Sequence, residues 1–358
     1  MHHLFYYYLK SSRVLKIFCT LPLYYDKKFK PRPRFQPSSL WFYGPALLFQ
    51  FSLMLFATTY IVLEHRNTDK ITKLAVKIVK IGVTLNILFV IHRSIEKFVN
   101  CMNQILYYEE QAEKLNITMT YRSLRILLLT KKIMIMTTSL IGNCSCFLTG
   151  NTYTYCLVSF ITYNITYLIS SFVLTQFCGL ILTARQHLIF VNRALLQVTT
   201  IPEEAVRKMN KLMVYHFKIC RLSKQVNQAF SGQLVLIIVR TFVEFFNSLY
   251  SIVREESHLL VMYDFFWSTC AIVEFMFMLF VCKRTTETCN RTSHILNLLR
   301  IDCNERLNLE RNVFLLQIQH NHVEFSANSL FSIDNKMFLH LISTSVAYLL
   351  IIIQFEKQ

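Results

Sequence analysis

The stretch whose reading decides the fold is Val323–Phe355, VEFSANSLFSIDNKMFLHLISTSVAYLLIIIQF. From Met337 to Phe355 it carries no Asp, Glu, Lys or Arg. At roughly 1.5 Å rise per residue, a helix over those positions reaches about 28 Å, close to the hydrocarbon thickness of a bilayer. Asp334 stands where that helix should begin, and its carboxylate suits capping of the Lys336 and Met337 backbone donors.

The rest of the chain agrees with a membrane setting. Of 358 residues, 53% are apolar and 16% charged, with a mean hydropathy of +0.37, which leaves too little polar surface to cover a soluble globule. Six Gly and six Pro offer little of the turn chemistry that an all-β chain needs. Helical spans are expected at Trp41–Leu63, Leu74–His92, Ile133–Leu148, Tyr153–Leu182, Gln233–Val253, Leu259–Cys282 and Met337–Phe355. The second is weakened by Lys77 and Lys80, and the third is short after Lys131 and Lys132.

The net charge of +17 does not point to nucleic acid, because the basic residues fall in clusters between apolar runs. Thirty of the 38 Lys and Arg lie in residues 1–40, 93–132, 184–232 and 283–336, all on one side of a seven-span topology. The expected fold is therefore an all-α polytopic membrane protein with seven transmembrane helices, a cytoplasmic amino terminus and an extracellular carboxyl terminus. The sequons at Asn116 and Asn290 then fall in cytoplasmic segments and should carry no glycan. Val14–Tyr25 is cut by Lys16 and Pro22 and does not read as a cleavable signal.

Residues 184–232 show helical spacing on both sides of a break at Thr199–Pro202, with Glu203 and Glu204 placed where a helix dipole favours acids. The fourth span should run on into the cytoplasm, turn, and return as a helix into the fifth. In residues 283–330, Leu298, Leu299, Leu307, Leu309, Phe314, Leu315 and Ile318 form helical stripes interrupted near Asp302. Such stripes need partners, so a cytoplasmic helical bundle is expected.

Chemistry of the catalytic kind is missing. Phosphate loops, nucleophile elbows and acidic metal motifs are absent from the sequence, so no enzyme, cofactor or metal is expected. His320 and His322 lack further ligands at fitting spacing and point to different helix faces. Most of the eleven cysteines fall in spans or cytoplasmic segments, where thiols stay reduced. A bridge from Cys156 to Cys144 or Cys146 is the one disulfide that the topology permits.

The closing motif is specific. Tyr348 is followed by five apolar residues, Leu349 to Ile353, and then by Gln354 and Phe355, with Phe331-Ser332-Ile333-Asp334 upstream and Phe325, Ala327 and Leu330 before that. This pattern resembles the carboxyl-terminal signature of the insect gustatory receptor family, related to the insect odorant receptors, with Ala347 in place of the usual Thr. The resemblance implies a ligand-gated, non-selective cation channel of four like or unlike gustatory subunits in the plasma membrane of sensory neuron dendrites. It also implies a division of the chain: a cytoplasmic segment at 1–40, a six-helix ligand-binding domain at 41–282, cytoplasmic anchor helices at 283–336 and a pore helix at 337–355. On a helical period Ala347, Leu350 or Ile351, and Gln354 share one face, while Tyr348, Ile352 and Phe355 share another. Spacing alone favours Gln354 at the lipid headgroups; the resemblance reverses this and makes Ala347, Leu350, Ile351, Gln354 and Phe355 the pore and gate residues. Sugar-sensing members carry an acid after the motif Tyr; Leu349 here implies a bitter or otherwise aversive small molecule instead.

Polar groups inside spans are costly in lipid and draw attention to protein-lined space. Arg240 and Glu244 are four apart and suited to pair along one helix. Tyr153, Tyr155, Tyr163, Phe246, Asn247, Tyr263, Asp264 and Trp267 are candidate walls of an aromatic ligand pocket in the outer half of the membrane, where an acid favours a protonated amine. The same residues also fit an interfacial aromatic belt. A transporter, or less so a membrane-embedded transferase, is the alternative class; no paired Gly/Pro-broken spans support the transporter.

Overall fold

The computed structural model describes residues 23–26, 34–37, 71–114, 164–197, 202–254, 258–299 and 305–356, together with helical positions at 48, 50–56, 59, 129, 130, 133 and 137. Six helices carry the described fold: α1 (Ile71–Lys114), α2 (Thr166–Leu196), α3 (Pro202–Val253), α4 (His258–Leu298), α5 (Glu305–His320) and α6 (Asn335–Glu356). Five of the described helices are long and apolar enough to cross a membrane. The expected first and third spans are represented by their helical positions alone. Asn116, Cys144, Cys146, Cys156, Tyr153, Tyr155 and Tyr163 lie outside the described residues.

Helix length separates membrane from extension. The 52 residues of α3 reach about 78 Å and the 44 of α1 about 66 Å, at least twice the apolar thickness of a bilayer. The excess sits at the Lys- and Arg-rich end of each helix, so one bundle continues beyond the membrane. For α1 this lengthens the expected second span, Leu74–His92, by six turns into the segment from Arg93 onward. The break between α2 and α3 falls where Pro202, lacking an N–H, is tolerated at a first helical position, with Glu203 and Glu204 in the first turn.

The core is built around α2, which buries residues around most of its circumference, from Thr166 and Tyr167 to Ala194 and Leu195. Helix α3 packs on α1, α2, α4, α5 and α6. At Gly232 of α3 the neighbouring helix comes so close that an added Cβ would lie 2.9 Å from Val90 Cγ1 of α1. At the basic end, α2 and α4 are fastened by polar bonds: Asn192 Nδ2 donates to the Thr288 carbonyl at 3.0 Å, and Thr292 Oγ1 to Asn192 Oδ1 at 2.7 Å. Helix α5 buries Leu307, Phe314 and Ile318, whereas Leu298 and Leu309 of the expected stripes face outward.

Two small hairpins were not foreseen. β1 (Leu23–Asp26) pairs antiparallel with β2 (Arg34–Pro37), which lies against α1. β3 (Ser326–Ala327) pairs with β4 (Phe331–Ser332) through Asn328 and Ser329, both at positive φ. Asn is among the residues that tolerate this conformation; Ser329 adopts it at φ 56°. This second hairpin turns the chain from α5 into α6, with Phe325 edge-on to Phe177 of α2.

Candidate functional site: a polar network, an aromatic ladder and the last helix

Inside the membrane-spanning region four helices contribute to one buried polar network. Lys80 of α1 lies 2.7 Å from Glu244 of α3, with both side chains almost wholly buried. Arg240 is 3.8 Å from the same carboxylate. The expected pairing along α3 is therefore the looser half of the arrangement, and the lysine that weakened the second span is instead neutralised across a helix interface. Arg240 also donates to the Thr166 carbonyl at 3.1 Å and lies 5.4 Å over the ring of Tyr167 on α2. Tyr167 in turn donates to Glu274 of α4 at 3.2 Å, and Ser171 donates to the same carboxylate oxygen. Two cations and two carboxylates balance, which is the condition for keeping such groups out of water.

Above this network, toward the end of α3 and the start of α4, sit the described members of the expected ligand region. Trp267 is 1% exposed and is packed edge-on by Tyr167, Tyr263 and Phe266, with ring centroids 5.3, 6.2 and 5.6 Å away. Asp264 accepts from Ser251 of α3 at 2.6 Å. Asn247 is buried; Phe246 is half-buried and stacks on Phe242 and Tyr250, one turn to either side on α3. Arg254 closes that ladder by donating to the Tyr250 hydroxyl at 3.1 Å. Spacing of four predicts that Phe242, Phe246 and Tyr250 share a face, but a ladder across them requires parallel ring planes, which sequence does not reveal. A separate cavity of about 20 Å³, room for a single water, lies two to three turns nearer the basic end, beside Ser94, Gln176 and Gln233.

Helix α6 begins as its sequence requires. Asp334 Oδ1 accepts from the Met337 N–H at 3.1 Å and Oδ2 from Ser332 Oγ at 3.2 Å, a side-chain cap on the third helical residue. Met337, Leu341, Ser345 and Leu349 form its buried stripe. Ala347, Leu350, Ile351 and Gln354 are exposed on the protomer, and the Phe355 side chain lies outside the described residues. Tyr348, also largely exposed, meets Phe242 of the ladder edge-on.

The chain matches the family model described as 7tm Chemosensory receptor over residues 6–358. None of the curated proteins compared with it matches in sequence. Among solved structures it is similar to the insect olfactory receptor OR5 from Machilis hrabei, at a TM-score of 0.75 and 12% identity, covering 99% of each chain. The same receptor in complex with eugenol gives a TM-score of 0.70 at 11% identity, again over 99% of each chain. At that identity the likeness establishes a shared fold, and the match over almost all of the sequence establishes kinship. The chain is a multi-pass membrane protein, not an enzyme, and it belongs to the seven-transmembrane chemosensory receptor family.

Proposed function

We propose that the protein is a gustatory-type receptor subunit: a ligand-gated, non-selective cation channel in which four copies set α6 around a central pore. The observation that carries this reading is the face of α6 that the protomer leaves uncovered. Leu350 and Ile351 are 55% and 45% exposed, and with Ala347 and Gln354 they form a strip that lipid alone has no need to contain a glutamine. Four copies would bring the Gln354 amides together above an apolar ring able to gate by dewetting. The basic end of the bundle is cytoplasmic, residues 283–336 anchor one subunit to the next, and residues 41–282 hold the ligand.

The eugenol complex of the similar olfactory receptor supports a small organic ligand here. Half-buried aromatic rings with Asp264 beside them suit a mostly apolar compound bearing a polar or amine group. Leu349 disfavours a sugar-sensing role: it is buried against the bundle, where an acid would need a partner. A bitter or otherwise aversive compound fits better.

Agonist-evoked current in cells expressing the chain, alone and with other gustatory subunits, tests the proposal. Ile351→Ala and Gln354→Ala should change conductance or the permeability ratio between cations. Unaltered permeation in both, at normal surface expression, would remove α6 from the pore.

A further inference from the structure

Beyond the membrane, the bundle holds a constellation that the receptor function does not use. His216 and Cys220 lie four apart on α3, on one helix face, and Cys289 of α4 meets them from the other side. The two sulfurs are 3.3 Å apart; His216 Nε2 is 3.7 Å from each of them. All three residues are at most 2% exposed. Phe314 of α5 closes the site by packing edge-on against the imidazole, 5.4 Å between ring centroids.

The sulfur–nitrogen separations are close to those a metal would impose, and the sulfurs would need to part by about 0.5 Å to hold it. Tetrahedral zinc, with Zn–S near 2.3 Å and Zn–N near 2.0 Å, holds its sulfurs about 3.8 Å apart and its sulfur and nitrogen about 3.6 Å apart. Charge agrees as well. Two thiolates and one neutral imidazole around a divalent ion leave no net charge, which a site without a carboxylate in its donor set requires. Three donors leave one tetrahedral position for a fourth ligand.

We propose that His216, Cys220 and Cys289 form a structural site for a thiophilic divalent metal, zinc by its donor set, that clamps α3 to α4 in the cytoplasmic bundle. Binding displaces the two thiol protons to solvent and moves no electrons. Because α3 and α4 continue from this point into the membrane, the clamp fixes the foot of the two helices that carry the aromatic region. The sequence concealed it: Cys289 is 69 residues from Cys220, and His-x-x-x-Cys alone is too short a pattern to specify a site.

The test uses the full-length receptor in lipid nanodiscs, stripped with a chelator and titrated with Co2+ and then Zn2+ alone. The wild-type protein should bind about one ion per protomer, show the visible absorption of tetrahedral thiolate-bound cobalt, lose it to zinc, and melt at a higher temperature when loaded. Cys220→Ser and Cys289→Ser should each abolish the cobalt band; Cys101→Ala, a buried thiol on α1, should keep it. The cobalt spectrum of the wild-type protein does not depend on any variant folding. Absence of the band from wild-type protein with free thiols, a band that survives in both serine variants, or a Cys220–Cys289 disulfide in the metal-saturated protein would overturn the site.

Discussion

Phe242 of α3 and Tyr348 of α6 meet edge-on, with ring centroids 6.3 Å apart and planes at 78°. Through this contact the ladder Phe242–Phe246–Tyr250 ties the region around Asp264 and Trp267 to the helix proposed to line the pore. An aromatic pair of this kind contributes about 0.5–1.5 kcal/mol beyond its buried area, enough to move a two-state gating equilibrium by up to roughly tenfold. Tyr348→Ala should therefore shift agonist dose–response curves by up to about that factor while surface expression holds, and Tyr348→Phe should leave them near wild type. An equal effect of both changes would assign Tyr348 to its hydroxyl rather than to the ring contact.

The polar network makes an ordering prediction. Glu244 is the carboxylate that both Lys80 and Arg240 approach, at 2.7 and 3.8 Å. Glu244→Gln removes the carboxylate charge that both buried cations approach and should cost about 3–5 kcal/mol, seen as loss of folded receptor or a sharply lower Tm. Lys80→Met should be milder, because Arg240, already 3.8 Å from Glu244, needs to move only about 1 Å to take its place. Lys80→Met proving the more damaging of the two would show that Arg240 is held by Tyr167 and Thr166 and cannot compensate.

What sequence made legible is what depends on near neighbours. The start of α3 at Pro202, the acids in its first turn, the cap from Asp334 to Met337 and five long apolar helices all follow from spacing and local chemistry, and the described residues have them. What it concealed depends on which helices meet. Lys80 reads as a flaw in a span until Glu244 meets it from another helix, and nothing in the sequence brings Cys289 to His216 and Cys220. The β3–β4 hairpin escaped because its turn, Asn328 and Ser329, lacks the glycine that usually marks positive φ.

The expected ligand region divides into residues that build and residues free to bind. Trp267, enclosed by three rings, is a core residue, and Trp267→Ala should cost about 3–5 kcal/mol and reduce the amount of folded receptor before any change in potency is measurable. Asp264→Asn keeps an acceptor for Ser251 and removes the charge. It should weaken activation by amine-bearing agonists while sparing neutral ones, as dose–response curves for matched pairs of compounds would reveal. Equal loss for both classes would make Asp264 a positioning residue for the contact between α3 and α4.

His187 gives the basic end of the bundle a sensitivity to acid. It lies on α2 beyond Leu182, where the apolar span ends, wholly buried, with Nδ1 2.7 Å from the Tyr215 hydroxyl of α3. Burial disfavours its charged form and lowers its pKa from 6.5 to about 4. Because the folded value lies below the unfolded one, the unfolded chain binds the proton first. The neutral imidazole's contribution is complete above about pH 6.5 and is lost progressively as pH falls toward 4, up to about 3 kcal/mol in all. Melting of the receptor in nanodiscs between pH 7 and pH 5 should show a falling Tm in the wild-type protein. In His187→Leu, which has no proton to take up, the fall should be visibly smaller. Identical slopes in the two proteins would mean that His187 takes up its proton as readily in the folded bundle as in the unfolded chain, so that burial beside Tyr215 does not hold it neutral.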